Sequence, residues 1–98
     1  MPAVTRDGDA TTTGHGCDAT TTVTGPSTDV FCNSLGVERK TDPTASHDIT
    51  VGLGCVPHTS SISGGSSTVF VNSKAIARIG DGCDSGNITG GSTTVFAG

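Results

Sequence analysis

The chain has 98 residues and a formal net charge of −4, from five Lys and Arg against nine Asp and Glu. A length of this order holds one domain, so a single domain over residues 1–98 is expected. The absence of a basic stripe excludes nucleic acid as a partner class, and no apolar run approaches the roughly 18–20 residues of a membrane-spanning helix.

The hydrophobic fraction is 32%, with three Phe and no Trp or Tyr. A chain this short buries only about 60–65% of its unfolded surface even when well packed, so this one needs a staple: disulfides, a metal or a partner subunit. The opening MPAVTRDGDA has no apolar segment of the kind a secretory signal carries, which predicts synthesis in a cytoplasm without a signal peptide. Thiols stay reduced there, which favours metal over disulfide for the cysteines. Thr, Ser, Gly and Val dominate. The longest run free of Gly and Pro, Ser66–Ile79, alternates instead of following a helical period, so the chain reads as all-β with many loops.

In chain order, the first element is a tail, VTRDGD (4–9), followed by a loop with His15 and Cys17. A head, TGPSTDVF (24–31), runs through a predicted hairpin into the second tail, VERKTD (37–42). The next loop carries His47, Cys55 and His58. The second head, SGGSSTVF (63–70), leads into VFVNSKAIAR, which predicts strands at 69–71 and 75–79 around a turn at Asn72–Ser73. The third tail, IARIGD (76–81), precedes the shortest loop, with Cys83, and a third head, TGGSTTVF (89–96). The chain therefore holds three units that start and end mid-repeat. Units this short must share a core.

All three His and three of the four Cys fall in the loops. Loops from three equivalent units can converge on one point, where a tetrahedral metal would tie them together. Cys32 stands apart, where the second unit has Val71, and reads as core. Arg6, Arg39 and Arg78 each precede Asp9, Asp42 and Asp81 by three residues, a recurrence expected of ion pairs that fix each turn. The runs SGGSS and TGGSTT lack the Lys and following helix of a phosphate loop. Val30–Phe31, Val69–Phe70 and Val95–Phe96 recur once per unit, half of them facing a core by alternation and half free to face a partner.

The segment VFVNSKAIARIGD (69–81), the gapless match of VFCNSLGVERKTD (30–42) and the opening MPAVTRDGD resemble the PAAR-repeat family. The first copy departs from the pattern at Gly36-Val37-Glu38-Arg39 and at Thr41. The resemblance implies a small cone of three pseudo-repeats of short strands and hairpins, with little or no helix and a metal site near the apex. It implies zinc, with iron second, on His15, His47, His58 and Cys83. Cys17 or Cys55 could replace a neighbouring ligand, be a small buried residue, or pair as a disulfide after release from the cell. The implied role is mechanical: one copy caps and sharpens a trimeric β-helical spike through its broad base and meets the target membrane at its tip. It would travel on a phage tail or with a type VI secretion spike, without catalysis. The chain ends two residues after its last Val-Phe pair, so a bare tip is expected, leaning to a phage carrier. A zinc hydrolase and a free-standing metal-binding module are the competing readings.

Overall fold

The computed structural model describes residues 1–98 and contains strands and turns with no helix. Ten short strands pair into five two-stranded antiparallel hairpins: β1 (Ala10–Thr12) with β2 (Thr20–Thr22), β3 (Phe31–Cys32) with β4 (Leu35–Gly36), β5 (His47–Val51) with β6 (Gly54–His58), β7 (Phe70–Val71) with β8 (Lys74–Ala75), and β9 (Gly82–Cys83) with β10 (Gly86–Asn87). The turn at Asn72–Ser73 lies where the sequence puts it, and Asn33–Ser34 forms its equivalent. All four residues have positive φ, between 52° and 67°, the conformation that two-residue hairpin turns require and Asn tolerates. The strands flanking Asn72–Ser73 are shorter than expected, because the chain leaves the hairpin after Ala75 to pair with the preceding unit.

The units are joined cyclically. Thr5 N donates to Ala77 O, Ala77 N to Glu38 O and Glu38 N to Thr5 O, each at 3.0 Å, closing a ring of one residue per unit. Single bridges repeat the pattern: Arg6 with Val37, Arg39 with Ile76, Val4 with Arg78, and further along Thr11 with Ile88, Thr44 with Val23, Cys83 with Ile62. The chain ends complete the third base hairpin, where Ala97 N donates to Pro2 O (3.0 Å) and Ala3 bridges Phe96.

The core follows the same symmetry in two layers. One joins Val4, Val37 and Ile76 to Cys32, Val71 and Ala97 at the hairpin end. The other joins Val23, Ile62 and Ile88 to Ala77 and Cys83 at the loop end. The three Arg–Asp pairs lock the tails as expected. Arg39, for example, gives its Nε and Nη2 to Asp42 at 2.8 and 2.9 Å, while its backbone N also reaches Asp42 Oδ2. Arg6–Asp9 and Arg78–Asp81 repeat this geometry. Phe31, Phe70 and Phe96 point outward and are 61%, 59% and 49% exposed. The residue after each one turns inward instead.

The molecule measures 41 × 24 × 22 Å. The second loop holds the longest hairpin, β5–β6, and residues 50–57 of it are exposed throughout. From the paired His47 and His58 to the turn at Gly52–Leu53 this arm extends about 14 Å, at roughly 3.4 Å per residue.

Candidate metal centre

His47 and His58 are opposite partners in the β5–β6 register, so their side chains share one face. His15 comes from the first loop. That loop is folded by Thr13, whose Oγ1 accepts from His15 N (3.1 Å) and donates to Asp18 O. Gly14 makes the approach possible: its φ is +77°, and a Cβ there would lie 2.5 Å from Ser85 O. The fourth group is Asp84, at the tight turn between β9 and β10, where its own φ of 56° swings the carboxylate towards the histidines.

The Nε2 atoms of His15, His47 and His58 lie 2.9, 2.8 and 3.2 Å from Asp84 Oδ2. The ring centroids are 4.9 to 5.6 Å apart. All four donor atoms lie within 4.8 Å of one another, so this group of three imidazoles and one carboxylate could hold a metal ion. His47 tests the fit. Its Nδ1 lies 2.9 Å from Ala45 O, and a carbonyl only accepts, so Nδ1 carries the proton. In the neutral ring, Nε2 is then a lone pair facing a carboxylate oxygen, an arrangement that either a proton or a metal ion between them satisfies. An imidazole held by a backbone carbonyl through its far nitrogen is also how metal-ligating histidines are oriented.

Without an ion the protons answer the same electrostatics. Burial pushes the His47 pKa down, but the bonds to Ala45 and Asp84 outweigh it and the net shift is upward. Burial would raise Asp84, yet the hydrogen bonds from His47 and His15 and the charges of His15 and His58 hold it below the usual carboxylate range.

Of the residues singled out in the sequence, the structure brings His15, His47 and His58 together and leaves Cys83 out. Cys83 is fully buried in the loop-end core layer, where its bridge to Ile62 makes it the third member of a ring with Thr11 and Thr44. Burial pushes its thiol pKa up, a shift reinforced by Asp84 and Glu38 and only partly opposed by the bond to Thr11, so the nucleophilic and ligating thiolate is disfavoured. The fourth donor atom within reach of the three imidazoles is that of the neighbouring Asp84. Cys17 and Cys55 are bonded to each other, so neither replaces a histidine; of the alternatives open for them the disulfide is the one that forms, against the general preference for metal drawn from cytoplasmic synthesis. They meet because β5–β6 presents Cys55 opposite Thr50, against which Gly16 packs. Cys32 is buried, as its alignment with Val71 suggests.

The family model described as the PAAR motif matches residues 8–88, which span all three loops and the complete second unit. No curated protein matches the chain.

Proposed function

The chain belongs to the PAAR-motif family, which is associated with the spike tips of contractile injection systems, and from that membership and its two unlike ends we propose that it caps a trimeric β-helical spike and leads it through a cell envelope. The observation that carries this reading is the hairpin end. Phe31, Phe70 and Phe96 stand exposed at equivalent positions of three cyclically joined units, a pseudo-threefold apolar face suited to a true threefold end, one copy per trimer. Full burial of each ring would contribute roughly 1.5–3 kcal/mol.

The loop end supports the other half. Three imidazoles and Asp84 tie all three loops, and with four protein donors the ion would be structural; zinc suits this set, with iron second. A hydrolytic site would need a free position, and Asp84 supports a closed one. Beyond the site, residues 49–57 (ITVGLGCVP) carry no charge and expose Val51, Leu53 and Val56. The hairpin ladder satisfies much of their backbone, so this arm can meet lipid at low cost.

The test is co-purification with the trimeric spike protein of the same machine. Phe31→Asp, Phe70→Asp and Phe96→Asp together should abolish binding while circular dichroism stays unchanged. Leu53→Asp should keep spike binding but lower the lipid-vesicle leakage caused by the assembled tip. Undiminished binding by the triple variant sinks the cap reading, and unchanged leakage sinks the lipid contact.

A further inference from the structure

Glu38 is the only glutamate in the chain and is wholly buried. It occupies the ring position held by Thr5 and Ala77 in the other two units. Thr5 places its hydroxyl there on Gly90 O, and Ala77 brings only a methyl group into the loop-end core layer. Glu38 brings a carboxyl group into the same level, and neither Oε1 nor Oε2 has a hydrogen-bond partner. A buried charge without a partner costs far more than a buried neutral acid.

The charged groups around it offer no relief. Asp7 and Asp9 face it from the first unit and Asp42 from its own, all raising the cost of ionisation, and the Cys83 thiol lies on the β9 side. Arg39 is the one cation that opposes them, and it is already committed to Asp42 through two nitrogens. Arg6 and Arg78, at the equivalent positions, are likewise held by Asp9 and Asp81.

We propose that Glu38 is a proton-binding site at the centre of the fold: the chain takes up one proton at this carboxyl as it folds and holds it through neutral pH. Burial first, then the Asp42 and Asp7 charges, push its pKa from 4.5 to about 9. The sign follows from linkage. The folded state binds the extra proton between those two values, so this group's contribution is fully present below about pH 4.5 and is lost as pH rises towards 9. The folded-to-unfolded ratio should fall by up to about tenfold per pH unit in that window. The site proposed for the metal plays no part, so the inference survives failure of that reading.

The test labels the single glutamate with ¹³C at its carboxyl carbon, which gives one resonance from the intact chain. Its titration midpoint should lie near pH 9 in the folded protein and near 4.5 after unfolding. Denaturant unfolding between pH 5 and 9 should show a steeper fall in stability for the native chain than for Glu38→Gln. Glu38→Met, apolar and of similar length, serves if the glutamine variant does not fold. A folded-state midpoint below pH 6, or matching pH slopes in the native chain and a folded variant, overturns the proposal.

Discussion

The Cys17–Cys55 disulfide should act mainly on the unfolded chain. Replacing both residues by Ser leaves the surrounding ties in place: Asp18 N still reaches Asp48 O (3.3 Å) and Asp48 N still reaches Asp18 Oδ2 (2.6 Å). What disappears is a cross-link over a sequence separation of 38, whose closure entropy of about 13 cal/mol/K corresponds to about 4 kcal/mol at 25 °C. Unfolding entropy for 98 residues is about 0.2 kcal/mol/K, so Tm should fall by about 20 °C. The assay is calorimetric melting of the native chain and of Cys17→Ser/Cys55→Ser, each at saturating zinc and again in chelator. Because an ion that binds only the folded form adds to both chains, the difference should persist in both conditions. A drop of under about 1 kcal/mol in both would refute the account, showing that the unfolded chain is already confined or that the bonded hairpin is strained.

Two further outcomes concern the metal. Asp84→Asn should lower zinc content in elemental analysis by at least tenfold, whereas Cys83→Ala should keep its zinc and lose about 1–2 kcal/mol in denaturant unfolding, as expected for emptying a small buried volume; zinc loss by Cys83→Ala alone would restore the thiol as a ligand. Gly14→Ala should weaken zinc binding in competition titrations while barely changing the three-unit body, because the added methyl group collides with Ser85 O and pushes His15 from Asp84.

The repeat makes much of this fold readable, because each symmetric feature appears in the sequence more than once. The Asn-Ser turns, the Arg–Asp locks and the outward Phe all recur, and in each case one copy's structure explains the others. The histidines are readable because there are only three and each lies in a variable loop. Asp84 carries no such signal among nine acidic residues; only the folded turn that sets its carboxylate against the three histidines singles it out. Cys83 falls outside the cluster for a related reason. Ligand chemistry draws attention to a thiol, while its alignment with Thr11 and Thr44 marks a position facing the shared interior. The disulfide depends on a hairpin within a segment whose Gly and Pro suggest irregular chain. Glu38 stays hidden because a charged side chain is ordinarily read as facing water.

Exchanging Cys83 for Asp84 also alters what the loop end can withstand. With the thiol as fourth ligand, the group tying the loops would contain the side chain most open to oxidation. With a carboxylate there, the four donors are imidazoles and an acid, which resist the oxidants that attack thiolates. The remaining cysteines fit the same pattern: Cys32 and Cys83 are buried, and half-buried Cys17 and exposed Cys55 are bonded to each other. No free thiol therefore faces solvent; the disulfide supplies one staple, and an ion on the thiol-free donor set would supply a second. The disulfide responds to a change between reducing and oxidising environments, whereas the imidazole and carboxylate donors keep their form in both.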